Sequence, residues 1–301
     1  MKGAHIPVLL GEVLNFLSPN GGVFVDGTFG AGGYTHAILS ANKNNQVIAF
    51  DRDPTTLSDA QKMAQEFGDR FTFIQDCFSA MSKHLTQPVD GIVLDIGVSS
   101  MQIDTPERGF SWRFDGPLDM RMGDQGPTAA DLIATLSETQ LADVLFRYGE
   151  ERQSRKIAHA LKNALPKTTL EMANVIHHVM PRPKDGSDSA MRSFQALRIA
   201  VNNELDELEQ TLLQTPNLLV PQGRLVVVSF HSLEDRIVKD FLNNHSAKST
   251  HKNKYAPLQE SEGLFRILTK KPVLANDTEL NQNPRAHSAK LRAAQRTEVP
   301  A

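Results

Sequence analysis

At 301 residues, with 40% hydrophobic and 22% charged residues, the chain has the composition of one large globular domain or of a domain carrying an insertion, and no apolar run approaches the ~18 residues that would cross a bilayer. The formal net charge of −3 lacks the bulk basicity that by itself points to nucleic acid, and Cys77, the single cysteine, excludes an internal disulfide and a multi-cysteine zinc site, so no metal is expected. The apolar start is interrupted by Glu12 and Asn15 and has no small-residue cleavage site, so it does not read as a signal peptide and a cytoplasmic location is expected.

Residues 23–26, 46–51, 71–74 and 91–96 are short β-rich runs separated by helical patterns, which predicts βαβ units and a mostly parallel sheet. Three of these runs end at or next to an aspartate: Asp26, Asp51 and Asp95. Ligands of open α/β sheets sit beyond the carboxyl ends of the strands, so these carboxylates are expected to line one crevice. From Thr105 to Pro216 the β-rich runs vanish. Ser137 with Gln140, and Thr168 with Glu171, have capping-box spacing ahead of apolar stripes. Leu197, Val201, Leu205, Leu208 and Leu212 recur at spacings of four and three, which predicts one amphipathic helix with Glu204, Glu207 and Glu209 on its acidic face. Strand character returns at residues 224–230, followed by a helix opening at Ser232 with Ile237, Val238, Phe241 and Leu242 inward. Residues 243–254 read as a mobile polar loop and 264–269 as an edge strand. The expected fold class is α/β: a doubly wound domain made by residues 1–104 and 217–301, with a helical domain of residues 105–216 inserted. Arg285, Lys290, Arg292 and Arg296 make the tail basic with no acid between them, which suits an RNA-binding arm and a solvated tail equally.

Asp26-Gly-Thr-Phe-Gly-Ala-Gly-Gly33 joins a predicted strand to a predicted helix, where glycines permit a tight turn and close approach of a ligand to the backbone. The dinucleotide fingerprint fails at its third position, which is Thr35. Asp51, at the end of the next strand, is placed to accept both hydroxyls of an adenosine ribose. This suits NAD and S-adenosyl-L-methionine alike, so an adenosine cofactor is expected and an NAD-dependent oxidoreductase stays open on these features. Phe78 suits stacking on an adenine and core packing equally. Cys77 is read as a small buried hydrophobe, not as a nucleophile.

Asp26-Gly-Thr-Phe-Gly, Asp51-Arg-Asp-Pro, Leu94-Asp-Ile-Gly-Val-Ser-Ser100, Arg108-Gly-Phe-Ser, Asp115-Gly-Pro-Leu-Asp-Met-Arg-Met122, Tyr148-Gly-Glu-Glu-Arg152, Gln195-Ala-Leu-Arg-Ile, Ser229-Phe-His-Ser-Leu-Glu-Asp-Arg-Ile-Val-Lys239 and Asn283-Pro-Arg-Ala run through essentially the whole chain. In these blocks the sequence resembles the RsmH (MraW) family of ribosomal RNA cytosine-N4 methyltransferases. The resemblance implies a Rossmann-like methyltransferase core with S-adenosyl-L-methionine as cofactor. It also implies a cytidine in the decoding region of the small subunit's 16S rRNA as substrate, with RNA recognition in the helical insertion. Carried over by motif, the cofactor contacts fall on Gly32, Gly33, Tyr34, Asp51, Phe78, Asp95 and Gln102. Three positions depart from the family: Tyr34 stands where histidine is common, Gly123 where aspartate is usual, and His287 in place of an arginine. A cofactor contact at position 34 through the backbone would tolerate the change; a side-chain contact would have to be remade by the phenol. A non-catalytic RNA-binding or assembly factor on this fold is the alternative, and the oligomeric state, a homodimer included, is left open.

The amino nitrogen of cytosine is a weak nucleophile, and an acceptor drawing on its N–H helps it rehybridise and lose a proton. Candidates are Asp115, Asp119 and His231, with Ser229 beside the last; Asp119 is equally able to pair with Arg121, and His231 to be structural. Arg108, Phe110, Trp112 and Arg113 interleave cations with aromatics, suited to phosphate contact and stacking of an unstacked base, although Trp112 equally suits core packing. Arg182, Lys184, Arg192 and Arg198 would extend that surface.

Overall fold

The computed structural model describes residues 7–180, 186, 188–250, 259–261 and 263–301. Arg182, Lys184 and residues 251–254 of the expected loop lie outside the described residues. Two compact units form, one of Met1–Gly97 with Leu205–Ala301 and one of Val98–Glu204.

The first unit begins with α1 (Leu10–Leu17), β1 (Gly22–Asp26), α2 (Gly33–Ala41), β2 (Asn45–Phe50), α3 (Leu57–Phe67), β3 (Phe71–Ile74), α4 (Met81–His84) and β4 (Val89–Asp95). The second unit is helical, with α5 (Ser100–Asp104), α6 (Ala129–Thr135), α7 (Glu138–Gly149), α8 (Ser154–Ala164), α9 (Thr169–Val179) and α10 (Met191–Asn202). The chain then returns to the first unit through α11 (Glu204–Leu218), β5 (Leu219–Ser229), α12 (Ser232–His245), β6 (Lys248–Thr250), β7 (Gln259–Ser261), β8 (Phe265–Ile267), α13 (Asp277–Gln282) and β9 (Lys290–Arg296).

The main sheet has the order β3-β2-β1-β4-β5-β9-β8, parallel through β5 and antiparallel at β9 and β8. Both of its faces are covered, as the continuous apolar runs of its central strands require. Val93, Val226, Val228 and Ala293 pack with α1 and α2 on one face, and Ile92, Leu94, Leu225 and Val227 pack with Leu208 of α11 and Phe241 of α12 on the other. The strand order reverses between β1 and β4, which places the ligand crevice of such a sheet beyond Asp26 and Asp95.

Three sequence expectations change. The leucine stripe is not one helix: Asn203 adopts a left-handed conformation (φ 53°) and its N–H closes on the Ile199 carbonyl. Asparagine tolerates that conformation, so the pattern continues while the chain turns. Leu197 is then buried in the core of the second unit, and Leu208 and Leu212 in that of the first. From Lys290 on the basic tail is neither an arm nor solvated, because Lys290 to Arg296 form β9 inside the sheet, while Arg285 stays exposed ahead of it. Arg292 is 8% exposed and donates to Asp235 at 2.6 Å, and Arg296 is 5% exposed and bonds the Pro216 carbonyl. The polar loop is shortened at its start, since Asn243 to His245 finish α12 and 248–250 pair with β7. That helix opens at Ser232 as expected, with His231 as its N-cap.

Candidate active site

The strand ends of the first unit are tied together by the polar groups of the glycine turn. Asp26 is fully buried, and its carboxylate accepts from the Thr28 N–H at 3.1 Å and the Thr35 hydroxyl at 2.8 Å. The Thr28 hydroxyl in turn accepts from the Asp95 N–H at 2.7 Å, joining β1 to β4. Asp51 accepts from the N–H groups of Gly30 and Asp53, both at 2.8 Å. Gly30 (φ 53°) and Gly32 (φ 79°) take the left-handed conformations that close this turn. A methyl added at Gly27 would lie 2.4 Å from Leu94 Cδ2 and 3.2 Å from Phe78 Cβ, so Phe78 sits beside the turn, half-buried.

These carboxyls are held where ionisation is costly. Burial, with the charges of Asp26 and Glu234, pushes Asp95 up to about 8. Burial pushes Asp26 up to about 6 against the opposing bond from Thr35, and burial also raises Asp51 against the amides of Asp53 and Gly30. Asp95 Oδ1 is buried with no hydrogen-bond partner among the described residues. A buried polar atom without a partner is rare enough in proteins to mark a site awaiting one.

Tyr34 is 4% exposed and its phenol donates to the Val8 carbonyl, so the side chain is committed to the N-terminal segment and its backbone alone faces the turn. Gly33 opens α2, where an added methyl would lie 2.2 Å from Pro7 Cγ. Burial pushes the Cys77 thiol up to about 11, which keeps it from acting as a thiolate.

At the end of β5, Ser229 is buried and bonds the Lys290 carbonyl at 3.4 Å. His231 and Glu234 form a capping box on α12 in which Nδ1 accepts from the Glu234 N–H, so the ring proton sits on Nε2, 2.9 Å from Glu234 Oε1. Glu234, 0% exposed, also accepts from the Phe230 N–H at 2.8 Å. Sequence reading missed Glu234, Asp53 and Thr28. Glu234 was visible as the fourth residue of a box opened by histidine, a residue not on the usual list of caps. Asp53 was visible as an aspartate ahead of Pro54, the signature of a helix start, and it caps the following turn through Thr55.

In the second unit, Gln102 is 5% exposed and closes a capping box with Ser99. The Asp119 carboxylate is bidentate to Arg121 at 2.8 and 2.7 Å. Burial would raise this carboxyl, but the bonds from Arg121 hold it below the usual aspartate value. Asp115 is exposed and accepts from the N–H groups of Gly116 and Leu170. The loop around them is tightly built: Asn202 spans it from the Met120 carbonyl to the Met122 N–H, each at 2.7 Å. Arg108 bonds the carbonyls of Arg121 and Met122, both at 2.9 Å. Arg108 and Phe110, 7% exposed, therefore serve the loop itself, whereas Arg113 is exposed and lies 5.8 Å over the Trp112 ring, which packs edge-on to Phe194. Arg198 is bidentate to Glu204, both bonds 2.9 Å, and Arg192 is exposed on α10.

The model of the MraW methylase family matches residues 2–297. A Granulibacter bethesdensis protein named Ribosomal RNA small subunit methyltransferase H is 52% identical over 303 residues, covering 97% of this chain and 91% of its own. A Ruegeria protein of the same name is 51% identical over 304 residues, covering 99% of this chain and 92% of its own. A match over nearly the whole length, to the family model and to relatives about half identical, makes the chain a member of the MraW methylase family.

Proposed function

We propose that the protein transfers a methyl group from S-adenosyl-L-methionine to the N4 amino group of a cytidine in the 16S rRNA of the small ribosomal subunit. The observation that carries the reading is the row of buried carboxyls at the ends of β1 and β4, with Asp95 Oδ1 lacking a partner among the described residues. Such a row calls for positive charge, and a methyl donor that is both sulfonium and ammonium matches it. When bound, the donor supplies an electrophilic methyl group and an adenosine.

Gly32, Gly33 and the backbone of Tyr34 would hold the donor from the turn, with Asp51 on the ribose hydroxyls, Phe78 against the adenine and Asp95 on the cationic end. Gln102 has less support, because its amide is already closed on Ser99. Of the three acceptor candidates, Asp119 suits the cytosine amino group best: Arg121 keeps it ionised and fixes its plane, and although Oδ1 already accepts from the Arg121 backbone N–H and Nε, Oδ2 keeps a lone pair for an N–H donor. Asp115 has one oxygen occupied by backbone amides, and both ring nitrogens of His231 face Glu234. His231 then acts by holding the β5 strand end in shape. Asp119 is a weak base, so its part is to orient the amino group while solvent takes the proton, and positioning accounts for most of the rate. The RNA base has to leave its stack to be reached, which loop RNA permits at least cost, and the exposed Arg113 and Arg192 of the helical unit suit phosphate contact.

Small subunits lacking the modification, incubated with the protein and labelled donor, should yield N4-methylcytidine on nucleoside mass spectrometry. Asp119→Ala should lower transfer about 100-fold with donor affinity intact. Undiminished transfer would remove Asp119 from the chemistry, and labelled methyl on any other atom would overturn the assignment of product.

A further inference from the structure

A second charged site lies on the first unit, midway along β5 and five residues before Ser229. In the sheet register Gln295 of β9 is paired with Arg224 of β5 on one side and with Arg266 of β8 on the other. Three adjacent strands therefore put Arg224, Gln295 and Arg266 in one row on one face. Gln295 is 7% exposed and fixed: its Oε1 accepts from Arg266 and its Nε2 donates to the Gln222 carbonyl at 3.2 Å. Arg224 is half-buried and makes no ion pair or hydrogen bond through its side chain among the described residues. Desolvation, and then the charge of Arg266, lower its proton affinity, so the two guanidiniums repel each other across the glutamine. The acid nearest this row in the hydrogen-bond pattern, Glu298, is turned to Gln222 at 2.9 Å. Arg266 also opens onto a cleft of about 740 Å³ at the sheet edge, where Lys270 adds a third cation, Asn243, Ser246 and Thr297 add neutral polar groups, and Glu298 is the one carboxylate among the described residues that line it.

Two like charges flanking one glutamine, one of them partly desolvated and neither paired with a carboxylate among the described residues, are held at a cost that an external anion removes. The planar donor forks suit phosphate oxygens. We infer that Arg224 and Arg266, set by Gln295, form an anchoring site for the phosphodiester backbone of the RNA substrate, remote from the methyl-transfer site. From Arg224 to Ser229 is five residues of strand, about 16 Å, so a strand or stem of RNA can engage both places while the anchor touches no reacting atom. The site contributes affinity and no sequence preference. This inference rests on the methyltransferase reading for the identity of the RNA.

The test uses full-length protein and 16S rRNA, comparing wild type with Arg224→Gln/Arg266→Gln and with Arg224→Lys/Arg266→Lys. The glutamine pair should reduce the slope of log affinity against log salt by about 1.5 and raise KM for RNA about 10-fold, leaving kcat and donor affinity unchanged. The lysine pair, which keeps the charge, should retain most of the slope, and this separates loss of the anchor from misfolding. An unchanged salt slope in the glutamine pair overturns the inference. So does stabilisation of the wild type by millimolar inorganic phosphate, lost in the glutamine pair, with RNA binding unaltered, because the site would then take a small free anion. Failure of the wild type to methylate RNA would sink the methyltransferase reading instead, and the salt slope, a binding quantity, is read independently of it.

Discussion

Asp95 shows how a site residue opposes the stability of its own fold. Its carboxyl is raised from the ordinary 3.8 to about 8, so the folded protein binds a proton that the unfolded chain has lost. The contribution to stability is complete below the unfolded value and is lost as pH rises through about 8; Asp26, at about 6, acts in the same direction over a narrower window. Denaturant titrations of the free protein should therefore show stability falling from mildly acid to mildly alkaline pH. Asp95→Asn should flatten that slope and add about 1 kcal/mol at neutral pH, and an unaltered slope would contradict the assignment of the shift to Asp95. Binding of a cationic donor favours the ionised carboxyl. Affinity should accordingly rise with pH up to about 8, with proton release detectable as a dependence of binding heat on buffer. The aspartates were legible in the sequence because strand-end position is a matter of local pattern. The engagement of Asp119 by Arg121, of His231 by Glu234 and of Tyr34 by Val8 was not, because spacing admits both the free and the occupied side chain.

At the scale of elements, β1, β2, β3, β4 and β5 were readable as apolar runs between turn signals, and the boxes at Ser137 and Thr168 as helix starts. The two failures share a cause. Leucine spacing carries no record of a single left-handed residue, so the break at Asn203 was hidden inside a continuing period. β9 was hidden because Arg292 and Arg296 occupy inward positions that a hydrophobic pattern leaves blank; each is made tolerable by partners distant in sequence, Asp235 and the Pro216 carbonyl. Arg292→Ala should cost about 3 kcal/mol in urea unfolding, since it leaves the half-buried Asp235 with only Lys290, 4.0 Å away, as counter-charge. A variant of unchanged stability but weakened RNA affinity would restore the reading of a nucleic-acid arm. Asn203→Val should destabilise by about 1–2 kcal/mol and Asn203→Gly should not, because a β-branched residue resists the left-handed conformation that glycine accepts.

Taken whole, the molecule separates tasks between its units. The sheet unit supplies buried carboxyls at the β1/β4 reversal and, midway along β5, the row of Arg224, Gln295 and Arg266. The helical unit supplies the rigid loop of Asp115 to Met122 and exposed cations. The central claim is that the strand-end carboxyls hold a cationic methyl donor, and isothermal titration of S-adenosyl-L-methionine into the free protein tests it most directly. The account predicts one site per chain, with affinity reduced at least 10-fold in Asp51→Ala and in Asp95→Asn and unchanged in Arg224→Gln/Arg266→Gln. Equal affinity in wild type, Asp51→Ala and Asp95→Asn would contradict it.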